Sequence, residues 1–283
     1  MNKNYFIFGG GFGLYGYLPA LIKINKKVFL DQKYKKKIIS RNDISHLNNK
    51  IKYFVKYSKN MSKNIIFAKR PSDQYQFIIK NKINSSLYLE KPIAPNPSKA
   101  FKLLKYLQKQ RVNFKVAYLF FYCNWSRILN KKENISIEWS FKSNTFAGEN
   151  WKLNEKKGGG IINFYGIHFI ALISELGNFV CIKSNLSKNI WNAIYSCNNK
   201  LINIKININE TESFIIQSKN QTVYKAPSPF YKKKLKNKID YRVIFLTKYI
   251  KDRKQNINHN LIIKLWDETL KKTKIIYNNY KKN

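Results

Sequence analysis

Four glycines within five residues, Gly9, Gly10, Gly11 and Gly13, interrupt an apolar run and open a helical pattern. The run, Tyr5-Phe6-Ile7-Phe8, reads as a buried strand. Leu14, Leu18, Leu21 and Ile22 then recur along one helical side. Strand, glycine turn and helix together present bare backbone N–H groups and a helix N-terminus, which is the chemistry a pyrophosphate requires. Side chains would obstruct that approach, and the turn must visit φ > 0. Two frames fit the spacing. Gly11-x-Gly13-x-x-Gly16 satisfies the full pattern but puts Gly16 inside the helix. Gly9-x-Gly11-x-x-Leu14 sets the turn directly after the strand and lacks the third glycine. The second frame is preferred, and a glycine-rich turn opening any α/β domain is the alternative without a ligand.

Two further groups of residues have chemical potential. Ala68-x-x-Pro71 and Glu90-Lys91-Pro92 each follow a short apolar run, and Gly158-Gly159-Gly160 leads into an apolar stretch carrying His168. An imidazole titrates near neutrality and suits a general base. A core histidine on an apolar helix face is the competing reading, as a solvated ion pair is for Glu90 and Lys91.

The elements that must position these groups alternate. Lys27 to Leu30 forms a second strand ending in Asp31, Ile51 to Val55 a third and Asn64 to Ala68 a fourth. Pro71 stops that strand and begins a helix through Ile79. Ser86 to Leu89 is a fifth strand, Ser98 caps a helix from Lys99 to Lys109, and Phe114 to Phe121 closes the series. This grammar predicts a doubly wound parallel sheet with helices on both faces. Beyond residue 118 the pattern changes to period two: Ile135 to Trp139, Ile190 to Cys197, Leu201 to Asn209, Ser213 to Ser218 and Thr222 to Lys225. These predict an open, largely antiparallel sheet solvated on one face, completed by helices over Asp240–Lys251 and Asn260–Lys272. The expected fold is α/β, with domains at 1–118 and 119–283.

A length of 283 residues allows two domains, and 44% hydrophobic content excludes a disordered chain. The net charge is +39, yet only six of the 54 basic residues are arginine. Lysine, asparagine and isoleucine are all in excess, as A- and T-rich codons would produce. The runs Lys35-Lys36-Lys37 and Lys232-Lys233-Lys234 are not interleaved with aromatics, and no nucleic-acid recognition signature is present, so no specific nucleic-acid partner is expected. The field still attracts anions. Cys123, Cys181 and Cys197 lack metal or redox spacing and read as buried thiols in a reducing compartment; no metal site is expected. Glycines and Pro19 break the N-terminal apolar stretch, which reads as strand, turn and helix rather than an export signal. Gly158 to Cys181, with Asn163, His168 and Glu175, reads as a buried helix rather than a membrane span. A cytoplasmic protein is expected.

The glycine turn followed by Pro19-Ala20-Leu21, the pair Ala68-x-x-Pro71 and Glu90-Lys91-Pro92, and the glycine run leading to His168 resemble the Gfo/Idh/MocA family of oxidoreductases. The family is named for glucose-fructose oxidoreductase, inositol dehydrogenase and the rhizopine-catabolism protein. The resemblance is continuous through about 125 residues, resumes around 151–177 and then thins. It implies an N-terminal Rossmann domain binding NAD or NADP, and a C-terminal domain whose open sheet covers the active site. It also implies a sugar or sugar-nucleotide substrate oxidised or reduced at a ring carbon, with surface-polysaccharide synthesis as a setting, and a homo-oligomer.

By that resemblance Lys91 bonds the reacting oxygen. An ammonium at the carboxyl end of a parallel strand sits at the crevice where ligands bind and stabilises developing alkoxide charge. The family's acid, histidine and second acid on one helix face fall at Phe164, His168 and Ala171, so only the histidine is retained. This departure admits a second reading, a catalytically impaired relative that binds a dinucleotide and acts through association. A polyanion-binding protein is a third. Tyr165 and Asn163 stand near His168 as substrate contacts, and Trp151 as a pocket wall or core residue. Gly9, Gly11, Phe12, Gly13, Leu14, Ala68, Arg70, Pro71, Asp73, Gln74, Glu90, Lys91 and Pro92 are the expected cofactor neighbours. Asp31 favours NAD by accepting from the ribose 2′-hydroxyl, or is a turn residue; Lys33 and Lys35 to Lys37 would welcome a 2′-phosphate.

Overall fold

The computed structural model describes residues 4–56, 64–81, 83, 85–131, 133–142, 151–209, 211–232, 240–252 and 255–276. Lys233 and Lys234 of the second lysine run lie outside them. The helices among the described residues are α1 (Leu18–Lys23), α2 (Lys35–Ile39), α3 (Pro71–Lys80), α4 (Pro97–Lys109), α5 (Ile167–Ser174), α6 (Arg242–Lys251) and α7 (His259–Lys272). The chain forms two compact units: Met1–Ala94 with Lys99–Tyr122 and Lys232–Asn256, and Pro95–Ser98 with Cys123–Tyr231 and Ile257–Asn283. The return of Lys232–Asn256 to the first unit is not contained in a single division after residue 118.

In the first unit β1 (Asn4–Phe8), β2 (Lys27–Asp31), β3 (Ile51–Phe54), β4 (Asn64–Phe67), β5 (Ser86–Leu89) and β6 (Phe114–Val116) form one sheet in the order β3-β2-β1-β4-β5-β6. Every neighbouring pair is parallel. Tyr5, Phe6 and Ile7 are buried, as is all of β4, because helices cover a parallel sheet on both faces. The strand order reverses between β1 and β4, so the ligand crevice opens beside their carboxyl ends.

Three local departures from the sequence reading have physical causes. The strand expected over Phe114–Phe121 ends at Val116, and Leu119–Tyr122 is a 3-10 turn. The Gln255 amide donates to the Val116 carbonyl (2.7 Å) and accepts from its N–H (2.8 Å), so a side chain completes the pairing of this edge residue. α4 begins at Pro97, which is preorganised for a first helical turn, so Ser98 lies inside the helix rather than capping it. The glycine-turn helix starts as a π-helical segment, Gly13–Tyr17, in which the Leu18 N–H reaches the Gly13 carbonyl. Pro19 supplies no N–H and crowds the carbonyl four residues back, which a wider turn accommodates.

In the second unit β7 (Ile135–Phe141), β8 (Val180–Leu186), β9 (Ile190–Cys197), β10 (Lys200–Ile208), β11 (Ser213–Ser218), β12 (Gln221–Ala226) and β13 (Thr273–Ile275) form a mixed sheet in the order β12-β11-β7-β10-β9-β8-β13. The β7–β10 and β8–β13 pairs are parallel and the others antiparallel. Alternation sets the faces. Ile135, Ile137, Trp191, Ala193, Tyr195, Ile202, Ile204, Ile206, Phe214 and Ile216 are buried. On the opposite side Glu138 and Lys205 face each other across β7 and β10 as an exposed ion pair. Tyr195 Oη meets Thr269 of α7 at 3.0 Å, so helix and sheet share a polar contact within an apolar interface.

The stretch expected as one helix over Gly158–Cys181 is divided. A π-helical turn, Ile162–Gly166, leads into α5; Gly177, at φ +141°, reverses the chain, and β8 begins at Val180. Among the described residues no helix is long and apolar enough to cross a membrane.

Candidate active site

The turn after β1 is built against the turn after β4. The Ala68 N–H donates to the Phe8 carbonyl at 2.8 Å, and Gly9 has φ +137°. A Cβ on Gly9 would overlap the Ala68 carbonyl, so no other residue closes this corner. Gly13 packs on Ile7, whose Cγ2 would lie 2.9 Å from an added Cβ. A Cβ on Gly11 would meet nothing within 4 Å, which leaves that backbone open to a ligand. Gly16 seats the Phe12 ring rather than serving as the third glycine of a fingerprint. Leu14 is fully buried behind the turn. Glycine at the tight corner, open backbone at Gly11 and a helix starting at Gly13 fit a dinucleotide pyrophosphate.

The neighbouring strand supplies Lys91. The Glu90 N–H donates to the Phe67 carbonyl at 3.2 Å and the Ala117 N–H to the Leu89 carbonyl at 2.9 Å, so the loops after β1, β4 and β5 stand side by side. The Lys91–Pro92 peptide is cis; Lys91 is half-buried and Pro92 buried.

Gln74 holds this loop. Its side chain is fully buried; Nε2 donates to the carbonyls of Glu90 (3.1 Å) and Ile93 (2.9 Å), and Oε1 accepts from the Glu90 N–H (3.0 Å). The amide is therefore spent on the backbone bracketing Lys91, which makes Gln74 a positioning residue rather than the cofactor contact expected from sequence. Arg70 and Asp73 are exposed at the start of α3, where Pro71 is buried at the first helical position and Asp73 accepts from Ser72 Oγ.

Glu90 accepts from the hydroxyl of fully buried Tyr17 at 2.7 Å. Burial raises the Glu90 pKa, against the Tyr17 hydrogen bond and the charges of Lys91 and Arg242. Burial likewise lifts Tyr17 well above its ordinary value, and the Glu90 charge adds to this. Arg242, from the returning segment, is paired with Asp240 at 2.6 Å and lies 4.4 Å over the Phe12 ring. Tyr17 and Arg242 were not singled out from sequence. Tyr17 occupies an ordinary core position of the first helix, and Arg242 is 230 residues from the ring that it covers. No local spacing signals either contact.

At the end of β2, Asp31 caps the 3-10 turn Gln32–Tyr34 and accepts from the Lys33 N–H at 3.0 Å, while Lys33 Nζ lies 2.8 Å from its other oxygen. Partial burial opposes ionisation, but the Lys33 hydrogen bonds, with the Lys69 charge behind them, bring the Asp31 pKa below its ordinary value. Lys37 Nζ donates to the Gly10 carbonyl at 2.8 Å, and the Tyr34 ring occupies the space that a Cβ on Gly10 would need.

In the second unit His168 is buried on α5 with its ring 6.2 Å from that of Phe230. Asn163 is not available to a substrate: its Nδ2 donates to the Gly159 carbonyl and its Oδ1 accepts from Trp266 Nε1, both at 2.9 Å. Tyr165 packs 4.5 Å from Phe141 and 5.6 Å from Trp139. Phe164 meets Trp151 edge-on at 5.6 Å and Tyr165 at 4.8 Å, so this position belongs to an aromatic cluster. Ala171 is fully buried.

The fold has solved counterparts over nearly the whole chain. The WlbA (WbpB) dehydrogenase from Thermus thermophilus, in complex with NAD and UDP-GlcNAcA, matches with TM-score 0.70 at 11% identity, covering 94% of each chain. KijD10, a 3-ketoreductase from Actinomadura kijaniata in complex with NADP and TDP-benzene, matches with TM-score 0.68 at 11% identity, covering 98% of this chain and 99% of its own. The dehydrogenase MviM from Clostridium difficile gives 0.65 at 16%, covering 96% and 98%. The chain therefore shares its fold with these dehydrogenases and this ketoreductase. No family model matches the chain, and no curated protein sequence matches it.

Proposed function

We propose that this chain is an NAD(P)-dependent oxidoreductase acting on CH–OH groups of a sugar or sugar nucleotide. One observation carries the reading: the Gly9–Gly13 turn and the Lys91 loop flank the loop after β4 at the carboxyl end of one parallel sheet, bonded to it through Phe8 and Ala68 on one side and Phe67 and Glu90 on the other. Turn amides and the helix N-terminus hold a diphosphate there. A bound nicotinamide supplies or accepts the hydride. Lys91 holds the substrate oxygen and stabilises charge as it develops. Gln74 and the Tyr17–Glu90 bond keep the Lys91 loop in place. His168 is the assignment for proton transfer, on its chemistry and on the resemblance to Gfo/Idh/MocA enzymes. Trp151 and Tyr165 are the candidate substrate-facing aromatics of the second unit.

The crystallised nucleotide-sugar complex of WlbA and the TDP-ligand complex of KijD10 support a sugar nucleotide as substrate. The setting proposed is cytoplasmic, the partner a second copy of the chain, with the solvated face of the seven-stranded sheet as the surface between copies.

The test is Lys91→Ala assayed against a panel of sugar nucleotides with both nicotinamide cofactors. Turnover should fall by about 10²–10⁴-fold with dinucleotide affinity nearly unchanged. A variant that turns over at the parental rate removes Lys91 from the reaction. A parental protein that binds dinucleotide yet oxidises or reduces nothing in the panel points to a non-catalytic binder.

A further inference from the structure

We propose that Arg242 is a positioning residue for the dinucleotide: laid over the Phe12 ring, it fixes the backbone of the glycine turn in the shape that takes the diphosphate. The inference rests on the dinucleotide reading above and assigns that site a determinant from the far end of the chain. Only six of the 54 basic residues are arginine, so a position that needs charge alone is nearly always filled by lysine. Two of the six stand over one ring: the Cζ atoms of Arg41 and Arg242 lie 5.5 and 5.6 Å from the centroid of Tyr15. Arg242 also lies 4.4 Å over Phe12. A planar guanidinium stacks flat on an aromatic face, which a compact, strongly hydrated ammonium does less well.

Phe12 stands between Gly11 and Gly13, so its own backbone is part of the turn. Its ring is enclosed. Gly16 backs it, because a Cβ there would overlap the ring, and Tyr15 and Tyr17 meet it edge-on at 5.4 and 5.5 Å. Holding the ring in one rotamer restricts the φ and ψ of Phe12, and with them the direction of the turn amides. Arg242 is itself held. Its Nε and Nη2 donate to the Asp240 carboxylate at 2.9 and 2.6 Å, and its N–H donates to the same group at 2.9 Å. Asp240 thereby offsets the guanidinium charge, so Arg242 acts on the turn by its shape. At the other end of α6, Lys115 donates to the Tyr249 and Asp252 carbonyls, both at 2.6 Å. The helix is thus tied to the glycine turn at its first residue and to β6 at its last turn.

Titration of the full chain with NADH and NADPH, followed by nicotinamide fluorescence well below each variant's thermal midpoint, tests this. Arg242→Lys keeps the charge and removes the planar stack; it should weaken whichever dinucleotide the parent binds by about tenfold. Phe12→Leu should do the same. The double variant should bind no more weakly than either single one, because both remove one contact. Arg41→Lys changes the guanidinium that stands over Tyr15 and pairs with Asp43, and should bind like the parent. A merely structural role would lower the midpoint of Arg242→Lys and leave affinity intact. That result overturns the assignment, as does additive loss in the double variant or an equal loss in Arg41→Lys, and each leaves the dinucleotide site standing. A parent that binds neither dinucleotide overturns both.

Discussion

At the residue scale, the loop that carries Lys91 is positioned by one buried amide. Gln74 satisfies two carbonyls and one N–H across Glu90–Ile93, and nothing on its own helix needs those bonds. Gln74→Leu keeps the volume and removes all three. Stability should drop by about 1–3 kcal/mol in chemical denaturation, because the Glu90 and Ile93 carbonyls lose their donor, while the Glu90 N–H keeps the Phe67 carbonyl. Turnover should fall more than dinucleotide affinity does; equal loss of both would show that Gln74 acts at the cofactor. The placement of Gly9 and Lys91 just past the ends of β1 and β5 was legible because each follows a short apolar run, and strand ends are where an α/β sheet exposes chemistry. Gln74 and Asn163 were misassigned for one shared reason. A polar residue beside a motif looks available, and only three-dimensional neighbours such as Ile93 and Trp266 reveal that its hydrogen-bonding capacity is spent.

At the element scale, β6 and α6 are joined by a buried lysine. Lys115 Nζ donates to the Tyr249 and Asp252 carbonyls at 2.6 Å each and lies within 5 Å of the Tyr88 and Tyr249 rings. It thereby satisfies carbonyls at the C-terminal end of α6, where a positive charge also suits the helix dipole. Burial lowers its pKa from 10.5 to about 8, partly offset by Asp252. Between pH 8 and 10.5 the unfolded chain therefore binds more protons at this site than the folded one. Stability from this group rises with pH across that window and is lower below it. Lys115→Met should cost about 1–3 kcal/mol at neutral pH from the abandoned carbonyls. The difference between parent and variant should grow as pH climbs from 8 to 10.5, measured by urea unfolding. A gap that narrows over that range contradicts the assignment. Strands and long helices were readable because periodicity and burial coincide. The ends of β6 and of the α5 region were not, since they depend on Gln255 and on the left-handed backbone of Gly177.

For the whole molecule, a charge of +39 acts against compactness. The ion pairs among the described residues are largely solvent-exposed and contribute little individually. Self-repulsion among the lysines should dominate, and salt screens it as the Debye length falls from about 10 Å at 0.1 M to about 3 Å at 1 M. The thermal midpoint should accordingly rise with sodium chloride, by about 2–4 °C for each kcal/mol of repulsion relieved. A falling midpoint would mean that specific ion pairs outweigh the global field.

The return of Lys232–Asn256 also dictates an order of assembly during translation. The ribosome delivers every strand from β7 to β12 before it delivers Arg242 or Gln255. No nascent chain shorter than that owns the guanidinium over Phe12 or the amide that completes β6. The unit whose synthesis starts first is therefore among the last parts of the protein able to finish, and domain-by-domain folding from the N-terminus, the usual course for multidomain chains, is closed to it.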